Sequence, residues 1–243
     1  MRRLLTCCSL AATLLGFQTA CSPKPDADDP TGGFFPMHVG ASWKYELVSD
    51  MSDPLIAPEI IISVDRQIEF DAWPAWVRRH HGGVEYYLRR DKDGVRRVAT
   101  RTEVQETAVL DEKPRFVLKL PLQVGTSWEA STVPYLLRRP NEYPRDLIHT
   151  HQAMQHHKIE ALNQTVEVPA GQFSGCLVVK AEGSLRLFTD PNNGFNDVPL
   201  ITQEWYCPNV GLVKFERSEE VPSGQQFMTG GKVSYVLTQY RQP

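Results

Sequence analysis

The side chains best suited to chemistry in this chain are its histidines, seven in all. His149, His151, His156 and His157 fall within one short stretch. On an extended strand His149 and His151 would share a face, and two imidazoles side by side are the beginning of a zinc or copper site. No carboxylate or cysteine completes a recognised ligand spacing around them. The surrounding run, RRPNEYPRDLIHTHQAMQHH, reads partly as loop. The expectation is a solvated polar strand and loop, with no metal. His80 and His81, beside Gly82 and Gly83, read as the flank of a turn. For nucleophilic chemistry there is no Gly-x-Ser-x-Gly elbow, and for phosphate binding no glycine-rich loop or dinucleotide fingerprint. The acidic pairs Asp28-Asp29 and Glu219-Glu220 stand in polar stretches and read as surface. No catalytic residue and no cofactor are therefore expected.

Charge excludes one class of partner. The chain has 26 Lys+Arg against 29 Asp+Glu, a formal charge of −3. That balance carries no footprint for nucleic acid. Basic residues do gather at Arg78, Arg79, Arg89, Arg90, Arg96 and Arg97, but acidic residues interrupt them, and a solvated strand face is the expected reading.

The first twenty residues have a different origin from the rest. Arg2 and Arg3 form a positive start, and Leu4 to Phe17 is apolar and uncharged. At about 14 residues that stretch is short for a membrane span, and it fits a secretory signal peptide covering residues 1–20. Gln18-Thr19-Ala20 precedes Cys21. A cysteine directly after Thr-Ala resembles a bacterial lipobox, although Gln18 stands where an aliphatic residue is usual. The resemblance implies that Cys21 is acylated and opens the mature chain. Several acyl chains, at roughly 0.8 kcal/mol per buried methylene, make such an anchor effectively permanent. Ser22 after the cysteine favours the outer membrane, facing the periplasm. Ordinary cleavage to a soluble periplasmic or secreted protein is the alternative. Residues 21–33 continue as CSPKPDADDPTGG, rich in Pro, Asp and Gly, and read as a lipidated cysteine with a flexible tether.

Of the five cysteines, Cys7 and Cys8 leave with the leader and Cys21 carries lipid. Cys176 and Cys207 remain, and two thiols in an oxidising compartment suggest one disulfide. Two separately buried thiols are the alternative.

From Phe34 onward the apolar period is two. Trp43, Tyr45 and Leu47 alternate with polar neighbours, as do Phe116, Leu118 and Leu120. Asp91-Lys92-Asp93-Gly94 marks a hairpin. Apolar spacing of 3.6 is almost absent. Residues 34–243 therefore read as a single all-β domain with few short helices, a meandering antiparallel sheet. One echo recurs 85 residues apart. Phe35-Pro36-Met37-His38-Val39-Gly40-Ala41-Ser42-Trp43 matches Leu120-Pro121-Leu122-Gln123-Val124-Gly125-Thr126-Ser127-Trp128. Pro starts an extended segment, Gly permits a tight turn, and Trp plugs the start of the next strand. This reads as one corner built twice, at the start of two related half-sheets.

Three segments carry a family resemblance. They are the opening Phe35–Tyr45; Val166-Glu167-Val168-Pro169-Ala170-Gly171-Gln172-Phe173 with Cys176-Leu177-Val178-Val179; and Glu204-Trp205-Tyr206-Cys207-Pro208-Asn209-Val210-Gly211-Leu212-Val213-Lys214. In order and spacing they resemble the TapB-like group of bacterial secreted proteins and lipoproteins. That resemblance implies a curved antiparallel sheet or half-barrel, similar to the LolA/LolB lipoprotein carriers, and no catalytic residues. Without it, Pro169-Ala170-Gly171 and Pro208-Asn209-Val210-Gly211 still read as turns between strands, with Phe173 and Trp205 as neighbouring apolar anchors.

Two functional expectations follow. In one, the partners are the membrane, through the anchor, and a hydrophobic small molecule or lipid on the concave face of the sheet. In the other, the chain is an accessory part of an envelope complex with a protein partner. A deep apolar pocket favours the first, and an interior filled by side chains favours the second.

Overall fold

The computed structural model describes residues 29–49, 56–140, 147, 150–192, 194–225 and 227–243. Twelve strands form one antiparallel sheet, and no helix occurs among the described residues. The first six are β1 (Ser42–Val48), β2 (Glu59–Phe70), β3 (Trp73–His80), β4 (Glu85–Asp91), β5 (Gly94–Arg101) and β6 (Val109–Lys119). The second six are β7 (Ser127–Thr132), β8 (Ala153–Val168), β9 (Gly171–Asp190), β10 (Gly194–Cys207), β11 (Gly211–Glu219) and β12 (Gly231–Arg241).

The order across the sheet is β6-β5-β4-β3-β2-β1-β12-β11-β10-β9-β8-β7. Each half is a six-stranded meander, and the halves join through the β1–β12 ladder, Ser42 opposite Arg241. Strand twist and several β-bulges coil the sheet past a half-barrel until its two edges meet. Among the described residues no backbone ladder closes that seam. Two β6 side chains bridge it, Arg115 donating to the Ser131 carbonyl at 2.9 Å and Lys119 to the Ser127 carbonyl at 3.1 Å.

The repeated motif builds the same corner twice. The Gly40 N–H donates to the Val64 carbonyl (2.8 Å), and the Val64 N–H returns to Ala41 (2.9 Å). In the second half the Gly125 N–H donates to Ile159 and the Ile159 N–H to Thr126, both at 2.9 Å. Gly40 and Gly125 have φ of 92° and 95°, a left-handed backbone that suits glycine. Pro36 and Pro121 lead in, and Trp43 and Trp128 are buried just beyond.

The three motif segments meet at this end of the barrel. The Trp43 indole donates to the Val210 carbonyl at 2.6 Å, and the Tyr45 hydroxyl to that of Leu212 at 2.9 Å. Gly211 packs on Pro36; a Cβ there would stand 3.0 Å from the proline ring, at a φ of 88°. Cys176 and Cys207 are disulfide-bonded across β9 and β10, beside the Pro208–Val210 turn. At the Pro169–Ala170 turn, the Ala170 N–H donates to Leu237 (3.0 Å), and beyond Gly171 the Phe173 ring meets Tyr240 edge-on at 5.9 Å. Trp205 lies under the Lys214 ammonium.

Three readings change here. Residues 29–33, within the stretch read as tether, are tied to the domain: the Asp29 carboxylate accepts from Thr31 and Gly33 and pairs with Arg90 at 3.1 Å. Glu219, read as surface, is fully buried. The arginine-rich stretch is not one solvated face, because alternation sends Arg78 inward and Arg79 outward. Cys21, the leader and the first part of the tether lie outside the described residues.

Candidate functional site

The interior splits into a packed floor and an open upper half. Phe35 and Met37, carried in ahead of β1, fill the floor with Leu177, Trp128 and Tyr206. The far end is roofed by residues 133–138, where Leu136 and Leu137 are wholly buried. Between them lies a cavity of about 670 Å³. Its apolar wall includes Ile60, Ile62, Leu88, Phe116, Leu212 and Phe215. This space is the concave face that the half-barrel resemblance implied, enclosed by a wall that returns almost to its own edge.

The roof is held by one carboxylate. Glu219 accepts from the backbone N–H groups of Tyr135, Leu136 (2.8 Å) and Leu137 (3.2 Å), and from Arg217 Nε at 2.8 Å. Arg217, also buried, donates onward to Thr202 (2.7 Å) and Gln155 (3.1 Å). A low-dielectric site is tolerable for this ion pair because its polar atoms find partners.

Other charged groups line the cavity. Arg97 is paired in a fork with Asp111, at 2.7 and 3.1 Å. Arg78 lies over the rings of Phe35 and Trp43, 4.7 Å from each centroid. Its Nε has no hydrogen-bond partner, and no carboxylate stands within ion-pair distance of it among the described residues. Arg115 spends one donor on Ser131. Burial lowers the pKa of both guanidinium groups. Among the described residues Glu204 is the one acidic side chain of the lining. It accepts from the Tyr206 hydroxyl at 2.9 Å, and burial pushes its carboxyl up, toward the protonated form. His80 and His157 also face inward; burial and nearby arginines bring each down to about 4, so both are neutral at pH 7. His157 stacks on Trp128 at 5.2 Å, and His80 meets Tyr86 edge-on at 5.0 Å.

The metal candidates do not come together. His149 lies outside the described residues. His151 sits in the turn before β8, within 2.7 Å of the Thr150 hydroxyl, and the neighbours His156 and His157 point to opposite faces. Among the described residues no group of three or more His, Cys, Asp or Glu side chains is placed to hold a metal ion. The sequence reading missed Arg78, Arg115, Glu204 and the two inward histidines. Strand alternation sets Arg78 on the face opposite Val77 and Arg79, but alternation alone does not say which of the two faces lines the cavity.

Outside the barrel a second carboxylate is enclosed. Glu85 is fully buried beneath Arg79 (2.7 Å), Arg66 (3.0 Å) and Arg101 (3.0 Å), and these hydrogen bonds, Arg101 foremost, hold its carboxyl well below the usual range. The network covers the outer face of β2–β5 and does not touch the cavity.

No family model matches the chain, so the TapB-like and LolA/LolB resemblance rests on the quoted motifs alone. No curated protein matches it either. Among solved structures, a Bacteroides fragilis protein inferred to be exported, with a YmcC-like fold, aligns at a TM-score of 0.42 and 15% identity over 86% of this chain and 99% of that one. A Parabacteroides distasonis protein inferred to be a lipoprotein aligns at 0.35 and 15% identity, over 86% and 98%. At that similarity neither supplies an argument about the ligand.

Proposed function

We propose that this chain is a non-catalytic lipoprotein of the cell envelope, anchored through Cys21, that holds an apolar small molecule or acyl chain inside its barrel. The cavity of about 670 Å³ carries the reading. Small-molecule sites typically span about 300–1,000 Å³ with mostly apolar walls, whereas a purely structural barrel of this size would be filled by its own side chains. The anchor rests on Thr19-Ala20-Cys21 behind an apolar leader. Ser22 favours the outer membrane, facing the periplasm.

Titration of the purified protein with the neutral apolar dye N-phenyl-1-naphthylamine is expected to give a saturable fluorescence rise. Ala130→Phe, which fills the cavity from β7, is expected to weaken it by about tenfold or more with the strand circular dichroism unchanged. A linear, unsaturable signal from folded protein would sink the binding reading. In cells, Cys21→Ser is expected to move the protein from the membrane pellet to the soluble fraction, and its persistence in the pellet would refute the anchor.

A further inference from the structure

The cavity is apolar in area but positive in charge, and that combination selects a ligand. Of the arginines along its wall, Arg97 is neutralised by Asp111 and Arg217 by Glu219. Arg138 donates to the carbonyls of Tyr135 and Leu137. Arg78 and Arg115 have no carboxylate within ion-pair distance among the described residues. Glu204, the one acid among the described lining residues, is engaged by Tyr206 and displaced toward its neutral form. An unpaired cation in a low-dielectric interior is unfavourable unless an anion joins it. The placement of Arg78 is specific: its guanidinium carbon lies 4.7 Å from the centroids of both the Phe35 and Trp43 rings, and the N–H donors of the planar group point out from its edges. The ring contacts hold the group, and its Nε has no hydrogen-bond partner, which leaves donors for a planar or tetrahedral oxyanion.

We infer that the cavity recognises an amphiphile with an anionic head, a carboxylate or a phosphate on an apolar chain, the head bound by Arg78 and Arg115 and the chain by the Ile60, Ile62 and Phe215 wall. This inference rests on the reading of the cavity as a small-molecule site and adds the sign of the ligand's charge. Neither an uncharged apolar molecule nor a cationic amphiphile satisfies the two guanidinium groups.

The test is isothermal titration of the full chain, below micellar concentrations, with dodecanoate, dodecyl phosphate, dodecanol and inorganic phosphate. One or both anionic amphiphiles are expected to bind about tenfold or more tighter than dodecanol. Inorganic phosphate is expected to bind far more weakly than dodecyl phosphate. Arg78→Gln is expected to abolish the preference for the anion while leaving dodecanol affinity unchanged, and Arg78→Lys to keep part of it. Because Arg78 lacks a carboxylate partner, Arg78→Gln is also expected to unfold no more easily than the parent without ligand. Equal affinity for dodecanoate, dodecyl phosphate and dodecanol would overturn the charge inference and leave the cavity reading intact. Failure of all three chains to bind would overturn both. Phosphate binding as tightly as dodecyl phosphate would overturn the amphiphile. An Arg78→Gln protein that is less stable but keeps its preference would assign Arg78 a structural role and refute its role at the head.

Discussion

Glu219→Ala is expected to be the most damaging single substitution in the domain, lowering stability by about 3–5 kcal/mol. The carboxylate is fully buried, and it accepts from the backbone of Tyr135, Leu136 and Leu137 as well as from Arg217. Alanine leaves those N–H groups without their acceptor and strands a guanidinium that is 2% exposed. In thermal unfolding the loss corresponds to a drop of about 10 °C for a domain of this length. Glu220→Ala next door, at an exposed position, is expected to change stability by no more than about 0.5 kcal/mol. The double variant Arg217→Met/Glu219→Leu is expected to cost less than Glu219→Ala alone, since no charge is left unpaired. Should Glu219→Ala melt with the parent, the roof is not held in the way described.

Acid is expected to weaken the fold in the window between pH 6.5 and about 4, beginning above the range in which most carboxylates titrate. His80 and His157 are each lowered to about 4, chiefly by burial and then by Arg78 and Arg115 respectively. In the unfolded chain both titrate near 6.5. Between these values the unfolded state binds more protons than the folded one, so stability falls as pH falls. Each histidine contributes a slope of up to about 1.4 kcal/mol per pH unit. Glu204 acts with the opposite sign: its raised pKa adds stability at low pH that is lost as pH rises from the ordinary carboxylate value through its raised one. Glu85, held low, makes the fold acid-sensitive from the ordinary carboxylate value downward. Urea midpoints at pH 7.5, 6.0 and 5.0 are expected to decline steadily. His80→Gln with His157→Gln is expected to flatten the decline. An identical decline in that double variant would place the acid sensitivity elsewhere.

Local sequence carried the strands well. Trp43, Tyr45 and Leu47 announce an inward face because an extended chain alternates, and Gly40 and Gly125 announce corners because few other residues take a φ near 90°. The repeated nine-residue motif mapped onto two corners with the same hydrogen bonds. Cys176 and Cys207 were paired by elimination and are bonded. The charged interior was not legible. Glu219 looks like any acid at a strand end, and its acceptor role depends on a loop more than eighty residues earlier in the chain. Arg78 belongs to a basic cluster whose members divide between two faces, and only the rings of Phe35 and Trp43 reveal which side it is on. Closure of the sheet has no local signature either, because curvature accumulates over twelve strands.

The side-chain seam between β6 and β7 bears on how copies of this protein behave when crowded. Each edge of an open sheet offers unpaired amides and carbonyls to any extended chain that drifts past. Here the Ser127 and Ser131 carbonyls already accept from Lys119 and Arg115, whose charges also repel a second basic edge. The wall thus turns its two margins toward each other, which leaves less free edge for a second extended chain to pair with.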